Sequence, residues 1–586
     1  MNTTPATSDL DPDALVARLA SGERVWARTY LDERRELLLN VAAATAAVAD
    51  EWVRIAARIK QLNPTSPLVG EEWMSGPYAV LTYLQALEET LRRLDQGADV
   101  LAGTRITRAP GGRLAVQVLP YNTYDKLLMS GFHAEVWTTP GVTEDQLRAT
   151  AGLTQRTPRQ TRGVALILGA GNIFSIPPLD VLYQLYAENR TAVLKLNPTT
   201  DPLADVYRAV FKPLIDRGLL EIVTGGPEVG AALTEHPGIS AVHMTGSEAT
   251  HDAVVWGTGE TATAAKTAGT PKLAKPMTSE LGGVSPIIVL PGKWSDADLR
   301  YQAEHVATMR LHNSGCNCIA GQILILSSDW PQKSAFLTAL RRALATAPAR
   351  PAWYPSCEAR VQDARSLHPG HAEKPGGTPE RTLLTGLDLT DDSESAFTTE
   401  YFGPVLGVTE LPGTGTQFLG AAVTAANDRL RGTLGANIIA HPNTLKALGR
   451  RLRGAIADLR YGTIAVNAWT GVGYATPRAT WGAFPGHTLD DVQSGIGTVH
   501  NALLLDHTER TVVTGPFRPA PRSVLLGDTS ISPKPPWFVT NTTAARTGRL
   551  LTKFAVNPQW HDLLTLFASA LRGGSVNRSG LFRSRW

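Results

Sequence analysis

Four short apolar runs ending in glycine, asparagine or proline most constrain what this chain can fold into. They are GVALILGAGN, TAVLKLNP, EIVTGG and AVHMTGS, separated by helix-like stretches between residues 163 and 247. Short β-rich runs alternating with helical segments of about ten to fifteen residues specify an α/β fold with a parallel, doubly wound sheet. Ligands of such sheets bind at the carboxyl ends of the strands, where the GAGN, KLNP, TGG and MTGS turns all fall. This makes the region a candidate dinucleotide site. No G-x-G-x-x-G followed by a distant acid is present, however, and glycine-rich strand ends also serve as plain tight turns.

The flanking sequence fills in the rest of the architecture. From Asp11 to about Leu94 apolar residues recur at three- and four-residue spacing, as in RRELLLNVAAATAAVADEWVRIAARI, which predicts an opening helical layer. The segment GTRITRAPGGRLAVQVLP predicts a hairpin at Gly111-Gly112, and the stretch of about 110–160 receives no further assignment. The Ala/Thr/Gly-rich WGTGETATAAKTAGTPKLAK reads as a surface loop before a strand SELGGVSPIIVL. At 586 residues, 43% hydrophobic and 19% charged, the chain needs two or three domains. A net charge of +3 gives no footprint for nucleic acid or an anionic membrane, so a small molecule is the expected partner. The start, MNTTPATSDLDPDALVARLA, lacks a charged and apolar leader pattern. No apolar run reaches the ~18 residues of a membrane span.

The three cysteines, Cys316, Cys318 and Cys357, are too few for a disulfide framework and fit a reducing cytoplasm. Two of them lie in HNSGCNCIAGQILIL, a Gly- and Asn-rich turn before a strand-like run. Such a pair can be two small buried side chains. It can be half a metal site, against which stands the absence of a second Cys pair or a nearby H-x3-5-H. It can also hold a nucleophile, because a glycine-rich turn supplies backbone donors around a thiol.

Several ordered motifs together resemble the aldehyde dehydrogenase superfamily, from roughly residue 30 to residue 515. Asn313-Ser314-Gly315-Cys316-Asn317-Cys318 is similar to its N-x-G-Q-x-C, which implies Cys318 as nucleophile and puts Cys316 where Gln is usual. Glu280-Leu281-Gly282-Gly283 matches E-L-G-G and implies Glu280 as general base. Asn172 in GAGNIFSIP corresponds to the oxyanion-hole asparagine, although Ala170-Gly171 replace the usual Pro-Trp. For the cofactor, the resemblance implies Lys195 at the ribose, Gly246 and Ser247 over the phosphates, and Glu400 with Phe402 of E-x-F-G-P at the nicotinamide-side ribose. Gly226, which closes EIVTGG, and Gly230 after it join the implied cofactor residues, and no metal is implied. The segment DHTERTVVTG looks like the family's dimer-forming strand, which implies a homo-oligomer built on dimers.

The implied layout is a helical layer and Rossmann-type cofactor domain over 1–278 and a catalytic α/β domain over 279–480. A return to the cofactor domain with an oligomerisation strand follows over 481–516, and an extension over 517–586. The implied reaction is NAD(P)-dependent oxidation of an aldehyde to an acid through a Cys318 thiohemiacetal and thioester. A CoA-acylating or carrier-linked reductase is the alternative, which the intact Glu280 disfavours; a non-catalytic scaffold is a second. Pro198 stands where a Glu often repels a 2′-phosphate, so NAD is expected with NADP possible. TWGAFPGHT around Trp481 departs from P-F-G-G-x-K-x-S-G, which leaves the aldehyde undefined. In the extension, WHDLLTLFASALRGG predicts a helix with Leu563, Leu564, Leu566, Phe567 and Leu571 on one side and Gly573 as C-cap. That face needs cover from its own subunit, a second subunit or, least, a membrane.

Overall fold

Residues 163–247 form a sheet because each run is short, rich in Val, Ile and Leu, and closed by a turn. Val164–Leu168 and Thr191–Lys195 are buried along almost their whole length, as parallel strands covered by helices on both faces must be. The computed structural model describes residues 11–574; the first ten residues and the end of the extension, 575–586, lie outside the described residues. Taken in chain order, the parallel strands Val164–Leu168, Thr191–Lys195, Leu220–Val223, Ile239–Gly246 and Met277–Leu281 lie side by side as 3-2-1-4-5. Gly495–Ile496 adds antiparallel at one edge. The order reverses between Val164–Leu168 and Ile239–Gly246, which opens a crevice at their carboxyl ends.

The helical layer is present as Pro12–Trp26, Leu31–Ile59, Val69–Trp73 and Ala79–Asp95. Asp11 caps the first of these by accepting from the Ala14 N–H at 3.0 Å, with Pro12 at the first helical position. Trp52 of the second meets Tyr207 edge-on, ring centres 5.3 Å apart, and so ties this layer to the sheet's helices.

A second sheet has eleven strands. Seven run parallel: Thr508–Thr514, Thr463–Val466, Gly435–Ile439, Ser285–Val289, Gly321–Ser327, Val405–Leu411 and Thr382–Leu387, in that spatial order. Ile106–Ala109 and Arg113–Leu119 form the hairpin expected at Gly111-Gly112, both of which take positive φ. With His133–Thr138 they continue the sheet antiparallel beyond Thr508–Thr514, which gives the unassigned stretch a place.

Three sequence expectations change. The run SELGGVSPIIVL is two strands in different sheets, Met277–Leu281 and Ser285–Val289, because Gly282-Gly283 lets the chain cross between them. A Cβ on Gly282 would overlap the Glu400 carboxylate, and one on Gly283 would come within 3.0 Å of the Gly432 Cα. The expected loop contains the helix Glu260–Ala268, closed by Gly269 in the left-handed region. The supposed dimer-forming strand Thr508–Thr514 is hydrogen-bonded on both sides within this chain, so it offers no free edge to a partner strand.

The extension packs on its own chain. Helix Ala544–Val556 lies against Val69–Tyr78, with Gly70 and Gly548 at the close approaches to Ala544 and Trp73. Helix Trp560–Arg572 returns along it, its Ser569 carbonyl accepting from Thr543 Oγ1 at 2.9 Å. Leu563, Leu566 and Ala570 are buried and Phe567 half-buried, whereas Leu564 is 77% exposed and Leu571 56% exposed. At 100° per residue, positions 563, 566, 567 and 570 share one face and 564 and 571 rotate off it, so the expected stripe was drawn too wide. Gly573 is the C-cap as expected but stays right-handed (φ −62°); its lack of a side chain admits Asn541.

Candidate active site

Cys318 stands at the end of a strained loop. After helix Asp296–Leu311 the backbone turns through three left-handed residues, Asn313 (φ 53°), Ser314 (φ 60°) and Gly315 (φ 76°), before strand Gly321–Ser327 begins. Such conformations cost about 1–2 kcal/mol for a residue with a side chain and persist only where surrounding bonds enforce them. Here the Asn313 N–H donates to Glu71 Oε2 at 2.9 Å. Its side-chain amide donates to the carbonyls of Asn172 at 3.0 Å and Cys316 at 2.7 Å. Arg310 Nη2 donates to the Gly315 carbonyl at 2.9 Å, and Gly315 has no room for a Cβ beside the Gly403 carbonyl.

Glu71 is held by Arg350, and Lys60 pairs with Glu72 at 3.0 Å beside them, all buried. Burial pushes the Glu71 carboxyl up, but Arg350, His312 and the Asn313 N–H outweigh it and hold it below its ordinary value. Removing one partner of a buried pair strands the other charge. Arg350→Ala is therefore expected to lower unfolding free energy by about 3–5 kcal/mol in denaturant titration. A loss under about 1 kcal/mol would show that the pair does not anchor the loop.

The half-buried Cys318 thiol donates to Glu280 Oε1 at 3.4 Å. Glu280 is fully buried with Oε2 unpartnered, and burial raises its pKa. Burial, then the Glu280 and Glu400 carboxylates, push the Cys318 thiol well up. A raised thiol pKa gives Cys318 no intrinsic advantage in alkylation. Iodoacetamide selectivity for Cys318 rests on exposure, since Cys316 and Cys357 are buried. Asn172, 7% exposed, donates through Nδ2 to the Cys316 carbonyl at 3.2 Å, which leaves its second amide hydrogen beside the thiol loop. The Cys316 Sγ points away, donating to the Phe402 carbonyl at 3.3 Å.

Cys318 separates two cavities. The larger, about 840 Å³, fills the crevice at the strand ends and is lined by Asn172, Lys195, Gly230, Gly246, Ser247, Glu280, Cys318, Glu400 and Phe402. Thus one cavity gathers nearly all the sequence-derived candidates. Gly226 is the exception: it precedes helix Pro227–Glu235, and its neighbour Pro227 reaches the wall instead. Ser247 caps helix Glu248–Val255, its Oγ accepting from the Thr250 N–H at 3.2 Å, so the helix N-terminus faces the cavity. Burial lowers the Lys195 pKa, with Asp201 and Glu228 opposing. Burial raises Glu400 to about 7, and its Oε1 lacks a partner. The smaller cavity, about 200 Å³, lies on the other side of Cys318 and includes Trp469, Trp481 and residues of the extension.

Sequence reasoning missed the groups behind Glu280. Asp180 Oδ1 lies 3.5 Å from Nε2 of both His243 and His500, and all three are buried. Burial pushes the Asp180 carboxyl up, but the two imidazoles hold it below its ordinary value. These residues are isolated single letters in the sequence and carry no motif. Arg360, which donates to the Tyr401 and Phe402 carbonyls at 2.9 and 3.2 Å and fixes the Glu400 loop, was equally silent.

Residues 132–358 match the model of the aldehyde dehydrogenase family. The 3,6-anhydro-α-L-galactose dehydrogenase of Streptomyces coelicolor is 27% identical over 326 residues, 56% of this chain and 52% of its own length. An aminoaldehyde dehydrogenase of Arabidopsis thaliana is 38% identical over 143 residues, 24% of each chain. The chain thus aligns with about half or less of the length of these curated relatives. An NAD-dependent aldehyde dehydrogenase from Sinorhizobium meliloti superposes with a TM-score of 0.56 at 20% identity, covering 87% of this chain and 88% of that one. An indole-3-acetaldehyde dehydrogenase of P. syringae, solved with NAD+ and IAA, gives 0.55 at 18% identity over 86% and 88%. These likenesses establish the shared fold, and the segment 132–358, which carries Asn172, Glu280 and Cys318, is the part that matches the aldehyde dehydrogenase family.

Proposed function

We propose that this chain oxidises an aldehyde to a carboxylic acid with a nicotinamide dinucleotide, Cys318 being the nucleophile, Glu280 the general base and Asn172 the oxyanion donor. The observation that carries it is the Cys318 thiol, 3.4 Å from the Glu280 carboxylate, at the junction of two cavities. The larger cavity fits the cofactor. Lys195 projects a buried ammonium into it, Gly246 and Ser247 open a helix N-terminus onto it, and Glu400 presents a carboxylate oxygen without a partner. NAD+ in the P. syringae neighbour supports the assignment.

The thiol proton passes to Glu280 as Sγ bonds to the aldehyde carbon, and the carbonyl oxygen becomes an anion. The Asn172 amide and the Cys318 N–H then stabilise that anion in a water-poor site. Lys195, Gly246, Ser247, Glu400 and Phe402, with Gly230 on the wall, would hold a nicotinamide dinucleotide, which when bound would supply the hydride acceptor needed to take the adduct to a thioester. Glu280, having released its first proton, takes one from water; the hydroxide adds to the thioester carbon and the Cys318 thiolate leaves.

Pure protein incubated with an aldehyde panel and either nicotinamide, with and without CoA, tests this reading. Reduced nicotinamide and free acid without CoA support it. A strict need for CoA assigns an acylating reductase, and no turnover of any aldehyde leaves a scaffold. Because the wall carries Asn197 and Pro198 where an acid would repel a 2′-phosphate, NAD is expected to be preferred over NADP by no more than about tenfold in kcat/KM, or 1.4 kcal/mol. A hundredfold preference would mean another wall group discriminates.

A homo-oligomer built on dimers and a cytoplasmic location complete the proposal. The exposed Val524, Leu525, Leu526 and Ile531 support an interface in the extension, and light scattering tests it. The three free cysteines support a reducing compartment. Among the described residues no helix is long and apolar enough to cross a membrane.

A further inference from the structure

The 200 Å³ chamber behind Cys318 is closed in part by the extension, which contributes Trp537, Leu551, Leu566, Phe567 and Ala570 to its wall. Leu551, Leu566, Phe567 and Ala570 come from the tail helices and Trp537 from a turn before them, and the tail is fixed where it stands. Lys534 Nζ donates to Glu304 at 2.5 Å and Gln302 Nε2 to the Phe517 carbonyl at 2.7 Å. Tyr124 packs on Phe554 and Trp560, with centroids 5.1 and 4.8 Å away. The tail therefore covers the chamber in its own chain as part of the folded wall.

The chamber's chemistry is restrictive. No described residue of the extension on the wall is charged. The charged residues elsewhere on it already have partners: Arg478 pairs with Glu89 at 2.5 Å and lies 3.5 Å over the Tyr121 ring, and Asp125 accepts from the Tyr121 N–H at 2.9 Å. Burial lowers His312 to about 4, which leaves a neutral imidazole at physiological pH. Among the described residues no free cation remains there for a carboxylate or phosphate. An apolar cavity of about 150 Å³ is known to hold benzene, so 200 Å³ accepts a ring and one or two further carbons.

We infer that the extension is the specificity wall of this site, and that the substrate is an uncharged aldehyde bearing one benzene-sized apolar body, with phenylacetaldehyde as its probe. This rests on the dehydrogenase reading and adds the substrate class. In a hydrophobic pocket each missing or excess carbon is worth roughly 10–200-fold in discrimination. The full-length enzyme is expected to favour phenylacetaldehyde over acetaldehyde by about two orders of magnitude in kcat/KM. Phe567→Ala enlarges the chamber and should move the ratio of 2-naphthaldehyde to phenylacetaldehyde upward by roughly tenfold; Ala570→Leu narrows it and should move that ratio downward. Opposite shifts cannot come from general destabilisation. The inference is overturned if the two variants leave the ratio unchanged or shift it the same way, or if acetaldehyde is the better substrate of the wild type. Calorimetric binding of benzyl alcohol, weakened in Ala570→Leu, keeps the two readings apart. Binding without oxidation of any aldehyde sinks the dehydrogenase reading and leaves the chamber assignment standing. Oxidation of acetaldehyde without benzyl alcohol binding or ring preference does the reverse.

Discussion

Cys318→Ala is expected to reduce aldehyde oxidation by roughly four or more orders of magnitude, because it removes the proposed nucleophile. Cys316→Ala should leave it within a few-fold. The two thiols lie two residues apart, but the structure gives them opposite environments. Cys318 Sγ faces Glu280 and both cavities, whereas Cys316 is fully buried with its Sγ on the Phe402 carbonyl. What the site uses of Cys316 is its backbone carbonyl, which accepts from Asn172 and Asn313 and survives the substitution. Steady-state kinetics of both variants decides the matter. Substantial turnover in Cys318→Ala, or its loss only in Cys316→Ala, would remove Cys318 from the mechanism.

Glu280→Gln should lower turnover by roughly two or more orders of magnitude, the scale expected when a general base is lost. A pre-steady-state burst of reduced nicotinamide close to one per site should remain. The amide keeps the shape of the carboxylate but cannot take a proton from water, so hydrolysis suffers most. Acylation should slow to a lesser degree, since the thiol also hydrogen-bonds this carboxylate. Burial raises the Glu280 pKa, so the basic form is populated only above the usual carboxylate range. Wild-type turnover should accordingly climb with pH through that raised value, and Glu280→Gln should flatten the climb. Turnover left within a few-fold in Glu280→Gln would assign the hydrolytic base to another group.

Much of the framework could be read locally. Strand-ending turns such as GAGN and MTGS combine short-range turn chemistry with an apolar run, and both are written in consecutive residues. The same holds for Asn313, Gly315 and Cys318, whose spacing survives in sequence because one loop carries all three. What stayed hidden depends on partners far along the chain. Glu71 and Arg350 look like ordinary surface charges until the fold buries them together behind Asn313. Asp180, His243 and His500 meet only because three separate elements converge under Glu280. The division of SELGGVSPIIVL between two sheets was equally illegible, because the apolar pattern is continuous and only the Glu400 side chain shows why Gly282 is needed. Helix Glu260–Ala268 was missed because none of its residues is buried, so it has no apolar stripe to betray the period.

In the proposed reaction a covalent acyl group forms on Cys318 and awaits proton abstraction by Glu280. Intact-protein mass spectrometry of Glu280→Gln, quenched in acid seconds after mixing with NAD and phenylacetaldehyde, tests this directly. A single added acyl group is expected, lost with hydroxylamine and mapped by peptide analysis to Cys318. An unmodified protein that has nonetheless released reduced nicotinamide, or an acyl group on Cys316 or Cys357, would contradict it.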